Sequence, residues 1–367
     1  MAMKDAKSHL AEAFRWSSEV ETELVQALVS GAGMAGPVLV GAAMGDLPMG
    51  LAASLGGLAL GGLAPRSTLK IQIAELIAAL APLAAASLAA ALISGHDWAT
   101  GAAMMALAAV AAAIGGYSRP MAVATTRFIV FLAIVVNVAD ATPQPIALVV
   151  LIMAGALWTA CLSLVLGAVA RALRRDDPRA NAVAPPAATA AQKTARWRRS
   201  LASLSGWQYT LRLAAGLGVA EALRRLWPDH HFDWIGLTVA LVTQRRIEAL
   251  PVKTTQRALG TALGVVAASL FIAYSPPAWS LALGIGLLAG VRPLLRARNY
   301  LIYSAVMTPL IVLILSGGRP LESGVLIDRL IATLVAAALA ILANWIAGKA
   351  LADKGPPPRI ASGPTAI

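Results

Sequence analysis

Uninterrupted apolar runs of about twenty residues recur along the whole length of the chain. A helix of that length spans the hydrocarbon core of a bilayer, which is about 30 Å thick. Charged residues make up only 13% of the 367 residues, whereas about a quarter is usual in soluble domains. The sequence therefore predicts an all-α, polytopic membrane protein with about twelve transmembrane helices.

The predicted spans have end points that follow the limits of the apolar runs. The span that begins at Trp234 is short, and it is expected to be tilted or partly re-entrant. The predicted spans are Leu24–Ala43, Pro48–Leu63, Ile71–Ile93, Trp98–Ile114, Met121–Val138, Ile146–Ala170, Tyr209–Leu226, Trp234–Thr243, Thr255–Ala273, Ala278–Val291, Tyr300–Leu315 and Val325–Gly348.

The basic residues predict which end of each span faces the cytoplasm. With both termini in the cytoplasm, all but four of the 30 Lys and Arg fall on the cytoplasmic side. If one span were missed or added, every later basic loop would move to the other side of the membrane, and this asymmetry would be lost. Nucleic-acid binding is not expected despite the net charge of +12, because the cations lie in short gaps between apolar runs. The four cations on the outer side are Arg224, Arg225, Arg319 and Arg329.

The two halves of the chain repeat one layout of six spans, with basic loops after the second and fourth span of each. Six crossings return to the starting side, so the two repeats are predicted to be parallel rather than inverted. The N-terminal segment is polar and of mixed charge, and no cleaved signal peptide is expected. The predicted units are a cytoplasmic N-terminal segment (1–23), a first six-helix repeat (24–171), a cytoplasmic linker (172–206), a second six-helix repeat (207–348) and a cytoplasmic tail (349–367).

The linker contains two kinds of sequence. Asn181–Gln192 is rich in Ala and Pro and is predicted to be flexible. Trp197 with Arg196, Arg198 and Arg199 is typical of a segment at the membrane surface. Topology-setting charge is the favoured interpretation of these cations, and specific lipid binding is the alternative.

Several short motifs carry little functional weight. Gly31–Gly36 has the spacing of a dinucleotide-binding loop, but it lies inside a predicted span with no preceding strand. Asp229, His230, His231 and Asp233 on an outer loop are candidate metal ligands, although a solvated loop is favoured because adjacent side chains rarely reach the same ion. No enzymatic activity and no cofactor are predicted. Glycines at four-residue spacing predict close helix contacts at Gly41/Gly45, Gly57/Gly61, Gly260/Gly264 and Gly286/Gly290.

Charged residues inside the apolar spans are the main functional candidates. A charge at the centre of a bilayer costs about 3 kcal/mol or more, and it usually faces a cavity or a partner. Arg127, Arg257 and Arg329 are predicted to line a path for anions. The alternative for each is that its long side chain reaches the nearest interface. The other charges within spans are Glu75, Arg212, Glu221 and Asp328.

A series of motifs in the second half is similar to the pattern of the fusaric acid resistance family, which includes aromatic acid exporters. In that family a Trp-containing span precedes an R-x-x-G-T-x-x-G helix, a basic loop with a tyrosine, a Thr-Pro pair and an R-x-x-x-T helix. The resemblance covers Trp207–Gly348, whereas the first half lacks the R-x-x-G-T motif. The matching segments are Trp234–Val239, Arg257–Gly264, Arg298–Tyr300, Thr308–Pro309 and Asp328–Thr333.

The resemblance implies a permease of the bacterial inner membrane that exports weak organic acids, with the proton gradient as its energy source. Substrate contacts are expected at Arg127, Arg257, Arg329, Arg298, Tyr300 and Thr308, and proton transfer at Glu75 or Asp328. The implied partners are a small organic anion, the lipid bilayer, and either a second copy of the chain or a periplasmic adaptor protein. An organic-anion channel and a non-transporting protein of envelope assembly remain open as alternatives.

Overall fold

The structure, a computed structural model, describes residues 24–63, 68–173, 189–228, 230, 232–243, 245, 250–273, 277–296, 298–315 and 323–352. All regular secondary structure in these residues is helical, which confirms the all-α class. The helices are α1 (Leu24–Ala43), α2 (Leu47–Leu60), α3 (Leu69–Ile93), α4 (Trp98–Ile114), α5 (Arg119–Asp140), α6 (Pro145–Leu173), α7 (Ala190–Leu201), α8 (Leu204–Leu226), α9 (Asp233–Val242), α10 (Leu250–Ala273), α11 (Ala278–Arg296), α12 (Tyr300–Leu315) and α13 (Ser323–Ala352).

Each predicted span corresponds to one helix, and α7 is an additional helix within the predicted linker. The prediction of a flexible stretch up to Gln192 is wrong at its end, because α7 already begins at Ala190. The Thr189 side chain accepts a hydrogen bond from the Gln192 backbone, and the Gln192 side chain accepts one from the Thr189 backbone. This capping box fixes the start of the helix. The rest of the predicted flexible stretch lies outside the described residues.

Six of the described helices are long and apolar enough to cross a membrane. They are α1, α3, α5, α6, α11 and the Ile327–Ala347 part of α13. Four shorter apolar helices, α2, α4, α9 and α12, accompany them. The chain is therefore a multi-pass membrane protein, and the number of twelve crossings stays a prediction.

Short polar side chains start several of these apolar helices. The Thr68 hydroxyl accepts a hydrogen bond from the Ile71 backbone at the start of α3. The Ser118 hydroxyl does the same for Met121 at the start of α5, where a proline occupies the first turn. Such caps satisfy backbone N–H groups that have no partner within the helix. The ends of the hydrophobic segments are thus set by local sequence.

Contacts between helix ends and a loop define one end of the helical bundle. The Gly95 backbone donates to the Asp140 carboxylate at 2.9 Å, which joins the α3–α4 loop to the last residue of α5. Gly101, in the first turn of α4, lies against the Glu221 carboxyl group near the end of α8. The ends of α3, α5 and α8 therefore lie together with the starts of α4 and α6. We call this the outer end, because the charge distribution predicts that it faces away from the cytoplasm.

The opposite end gathers the remaining helix ends. The Trp197 indole N–H of α7 donates to the carbonyl of Ala113 near the end of α4 at 3.0 Å. The Arg245 guanidinium, which follows α9, donates to the neighbouring Ala112 carbonyl at 3.0 Å. These contacts place α7 and the ends of α4 and α9 at one inner end.

Many corresponding helix pairs pack in the two halves of the chain. In the first half these pairs include α1–α2, α2–α6, α3–α5, α1–α6, α3–α6 and α4–α5. Their counterparts α8–α9, α9–α13, α10–α12, α8–α13, α10–α13 and α11–α12 pack in the second half. Between the halves, α4–α8 corresponds to α11–α1, and α5–α9 corresponds to α12–α2. A two-fold relation between parallel repeats would produce this pattern, and the axis itself stays a prediction.

Small residues allow the closest helix contacts, as the four-residue glycine spacing predicts. A Cβ atom on Gly290 would lie 3.2 Å from the Ala27 carbonyl oxygen, so α11 and α1 touch along their backbones. The prediction is wrong for Gly45, because no atom lies within 4 Å of the point where its Cβ would be. The φ of 75° at Gly45 places it in a left-handed turn between α1 and α2. Glycine adopts that conformation at little cost.

Sidedness can be measured with single cysteines at the two ends. Ala191→Cys in α7 and Gln144→Cys in the α5–α6 loop, both in a Cys161→Ser background, are expected to react with an impermeant thiol reagent from opposite sides. The reason is that the contacts above place these positions at opposite ends of the bundle. Labelling of intact cells and of inverted vesicles provides the measurement. Labelling of both positions from the same side would contradict the predicted topology.

Candidate functional site

Arg257 and Arg329 lie fully buried in the second half of the chain, with exposed fractions of 1% and 0%. Arg257 belongs to α10 and Arg329 to α13, and the two guanidinium groups are near enough to repel each other electrostatically. Within the described part of the chain, Nε and Nη2 of Arg257 and all three guanidinium nitrogens of Arg329 have no hydrogen-bond acceptor. Neither arginine forms an ion pair with a described carboxylate. We call these two residues the arginine pair.

Glycines on α10 bring α12 close to the arginine pair. A Cβ atom on Gly264 would lie 2.6 Å from the Thr308 Cβ and 2.7 Å from the Ala305 carbonyl oxygen. Gly260 lies in the same way against Leu301 and Ser304. The R-x-x-G-T-x-x-G spacing puts Arg257 and both glycines on neighbouring positions of one helix face. The close contact that the motif predicts is therefore present in the structure.

Hydroxyl groups of the family motifs bind backbone carbonyls at these contacts. The Thr308 hydroxyl donates to the Ser304 carbonyl at 3.0 Å and lies 3.5 Å from the Thr261 hydroxyl. The Thr333 hydroxyl donates to the Arg329 carbonyl at 2.9 Å. Thr308 thus packs α12 against α10, and its predicted contact with a substrate stays a prediction.

Trp234, at the start of α9, covers one face of the Arg329 guanidinium. The Arg329 Cζ atom lies 3.7 Å from the ring centroid of Trp234, a cation–π contact. Thr238 lies one turn further along α9 and has a buried hydroxyl oxygen without a described hydrogen-bond partner. The short helix α9 therefore supplies an aromatic face and a hydroxyl group to the surroundings of the arginine pair.

Tyrosines of α12 lie on the inner side of Arg257. The Arg257 guanidinium group donates a hydrogen bond to the Tyr300 hydroxyl oxygen. Its ring stacks on Tyr303, with centroids 5.7 Å apart. Asn299 caps α12 by accepting hydrogen bonds from the Leu301 and Ile302 backbones at 2.8 and 3.1 Å. Arg298, another predicted substrate contact, lies half-buried in the turn just before this cap.

A second group of charges lies between the two halves, towards the inner end. Arg127 of α5 is half-buried and interacts electrostatically with Glu75 of α3 and with Arg296 of α11. Arg296 also acts electrostatically on Tyr300. Arg127 and Glu75, predicted separately from the sequence, therefore belong to one group of interacting charges. Their roles in substrate binding and proton transfer stay predictions.

The helical region of α11 extends beyond the predicted span. The predicted end of this span at Val291 is too early, because α11 continues to Arg296. Arg292 is consequently buried, and it donates to the Leu58 carbonyl of α2 at 2.9 Å. A proline is a usual helix stop, and it ended the predicted span too early. Arg292 joins the two halves at this point.

Asp328 is paired at the outer end of the bundle. Its carboxylate lies 2.9 Å from Nδ1 of His230, and His230 stacks on Phe232 with centroids 5.0 Å apart. Adjacent residues of a helix face different directions, so Asp328 and its neighbour Arg329 do not share a face. His230 is a candidate metal ligand by sequence, and its described contact is instead this carboxylate. Asp229 and His231 of the same prediction lie outside the described residues.

A search for charged residues inside apolar spans does not find every functional candidate. The structure adds Trp234, Arg296 and His230. In the sequence Trp234 stands out only as part of a motif, and Arg296 only as a loop charge. The signal that could have indicated Trp234 is its position at the start of a short apolar span, opposite an arginine-containing helix. Its pairing with Arg329 depends on the packing of α9 against α13.

These features define a class, a multi-pass helical membrane protein with a buried cationic site. Residues 215–343 match the model of the family described as fusaric acid resistance protein-like. The matched region contains the arginine pair, Trp234 and Tyr300. The match confirms the resemblance that the motifs indicate. No curated protein and no solved structure matches the chain.

Proposed function

We propose that this protein is a secondary transporter of the bacterial inner membrane that exports weak organic acids as anions. The observation that carries the proposal is the arginine pair. Two buried guanidinium groups that repel each other, with unused N–H donors and no described carboxylate beside them, form a site that a carboxylate would complete. A carboxylate accepts two parallel hydrogen bonds from a guanidinium group, which gives a strong and directional contact.

The energetics of the two unpaired guanidinium groups support an anionic ligand. An unpaired charge in a low-dielectric interior is costly, and a second charge of the same sign raises that cost. The cation–π contact of Arg329 with Trp234 offsets only part of it, about 2 kcal/mol or more when desolvated. An anion bound beside either guanidinium group would offset the repulsion and accept hydrogen bonds from its free donors.

Aromatic residues beside the pair support a substrate with an apolar or aromatic body. Trp234 lies against Arg329, and the stacked Tyr300 and Tyr303 lie on the side of Arg257. Aromatic rings prefer edge-to-face or offset contacts with other rings. We therefore propose aromatic carboxylates as the main substrates, with the carboxylate on the arginine pair and the ring between these side chains.

The proton gradient is proposed as the energy source. Asp328 with His230 at the outer end, and Glu75 beside Arg127 towards the inner end, are the carboxyl groups proposed to carry protons. An anion channel with the same arginine pair would not need them. A proton-coupled exporter and an anion channel would share this binding site. They differ in whether an imposed pH gradient changes the flux of the anion.

Flux measurements in proteoliposomes separate the functions. With a labelled aromatic carboxylate, we expect saturable flux. This flux should increase when an imposed proton gradient drives protons in the direction opposite to the movement of the carboxylate. Protein-free vesicles correct for diffusion of the neutral acid. Flux that follows membrane potential and ignores the pH gradient would identify a channel. No flux above that of protein-free vesicles, for a range of aromatic and aliphatic carboxylates, would contradict transport.

A further inference from the structure

A groove of about 360 Å³ lies between α8 and α13 on the surface of the second half. Aliphatic side chains line most of it, and they are well exposed. It extends on α8 from Leu204 to Val219, about 22 Å of helix axis at 1.5 Å per residue. That length exceeds the thickness of one leaflet, about half of a 30 Å hydrocarbon core. The exposed lining residues include Leu211, Val219, Leu342 and Ile346.

The equivalent seam in the first half, between α1 and α6, is closed. The Trp158 indole N–H of α6 donates to the Ala32 carbonyl of α1 at 3.2 Å. Beside it, the Thr159 hydroxyl donates to the Gly33 carbonyl at 3.2 Å. Because the two halves pack through corresponding helix pairs, the open groove is a particular property of the α8–α13 pair.

Arg212 forms part of the groove wall and fixes its geometry. Its guanidinium is buried and donates to the Asn344 side chain of α13 at 2.8 Å. It also donates to the Gln208 carbonyl one turn earlier in α8 at 3.2 Å. These contacts hold α8 and α13 together at the bottom of the groove while its aliphatic rim remains open.

Exposed basic side chains lie on the segments that adjoin the inner end of the groove in sequence. Arg198 and Arg199 are exposed in the last turn of α7, a few residues before Leu204. The Trp207 indole N–H donates to the Leu201 carbonyl at 2.7 Å and holds this turn against the start of α8. On the other side, Lys349 follows the groove on α13, with Nζ 3.9 Å from the Trp345 ring centroid. No acidic residue occurs in 190–220 or 336–352.

We propose that this groove binds an anionic phospholipid of the cytoplasmic leaflet. One acyl chain lies along the groove between α8 and α13, and the phosphate group lies among Arg198, Arg199 and Lys349. Basic residues at the membrane surface attract anionic lipids, and the aliphatic groove offers a fitting surface for the chain. This inference is independent of the proposed transport function, because the groove and the arginine pair are formed by different residues.

Lipid titrations of delipidated protein in a neutral detergent test the proposal. The unfolding midpoint is measured with phosphatidylglycerol and with phosphatidylcholine of identical acyl chains. We expect tighter apparent binding of phosphatidylglycerol by the wild type. The double variant Arg198→Ala/Arg199→Ala is expected to lose about 25-fold in that affinity, since each cation at a membrane surface contributes about fivefold. Equal affinity of the wild type for the two lipids would overturn the proposal.

Matched variants separate the headgroup from the acyl chain. Lys70→Ala/Arg119→Ala removes two exposed cations from α3 and α5, away from the groove, and should keep the wild-type preference. Ala343→Phe or Ala215→Phe fills the groove and should weaken stabilisation by both lipids. Wild-type lipid stabilisation of both filling variants would overturn the proposal. The proposal would also be overturned if the wild type formed a dimer that the filling variants dissociate, with no change in stabilisation by lipid. The groove would then be a subunit interface.

Discussion

Replacing either member of the arginine pair with alanine is expected to lower the apparent affinity for an organic anion about 100-fold. Removal of one partner from a buried, hydrogen-bonded charge contact costs about 3 kcal/mol, which corresponds to that factor. Arg257→Lys and Arg329→Lys should keep part of the affinity, since the charge remains and the two-pronged geometry is lost. Flux per folded molecule in proteoliposomes, at several substrate concentrations, measures the effect.

A stability measurement distinguishes a binding role from a structural role for Arg329. Arg329→Met has a similar length without the charge, and it removes the repulsion with Arg257. Replacement of poorly compensated buried charge by an apolar side chain is often stabilising. We therefore expect the substrate-free Met variant to unfold at a higher temperature than the wild type while it fails to transport. A lower unfolding temperature together with normal flux would contradict the anion-site assignment.

The exposed Arg119→Ala variant serves as the control for these experiments. Arg119 begins α5 at the inner end, and its side chain is exposed. Loss of one cation there should leave flux and unfolding temperature unchanged. If Arg119→Ala lowered the affinity as much as Arg257→Ala, the effect would come from general electrostatic attraction of anions rather than from a specific site.

The second large effect is expected from Gly264→Ala, which should destabilise the contact between α10 and α12. The new methyl group would lie 2.6 Å from the Thr308 Cβ, so one helix must shift. Overpacking of this kind costs about 1–3 kcal/mol. Because the same contact positions Arg257, transport should fall together with the unfolding temperature. Thermal unfolding in detergent and flux in proteoliposomes measure the two effects.

Gly218→Ala provides a matched comparison within another membrane helix. A Cβ atom on Gly218 of α8 would meet only the Met105 sulfur, at an ordinary distance of 3.4 Å. Alanine is also a better helix former than glycine, by roughly 0.5–1 kcal/mol. This variant should therefore be as stable as the wild type or more stable. A similar loss of stability in Gly218→Ala and Gly264→Ala would show that the close α10–α12 contact has no special role.

The helices of the predicted spans could be predicted from the sequence, whereas the start of α7 could be predicted less well. Apolar runs and the spacing of cations predicted a helix for every span, because both depend on residues close together in the chain. Three spans, among them Trp98–Ile114, have the predicted bounds. The Thr-x-x-Gln pattern of the capping box at Thr189 is local and indicates a helix start, whereas the Ala- and Pro-rich composition of the same stretch indicates flexibility.

The candidate site shows where sequence information ends. Arg257 and Arg329 each stand out as charges inside apolar runs, which is a local property. Their mutual approach, and the contact of Arg329 with Trp234, depend on how α9, α10 and α13 pack. One sequence contains no signal for such long-range pairs. Arg292 differs for another reason, because Pro293 is a local signal for a helix end and the helix nevertheless continues past it.

The complete burial of the arginine pair has a consequence for how dissolved salt affects it. Exposed charges are surrounded by a diffuse layer of counterions, about 8 Å thick at physiological ionic strength, which weakens their fields. Arg257 and Arg329 have almost no surface in contact with that layer. Dissolved ions therefore act on the pair by entering and occupying it rather than by shielding it at a distance. Chloride would behave as a competitor whose effect saturates and is reversed by more substrate.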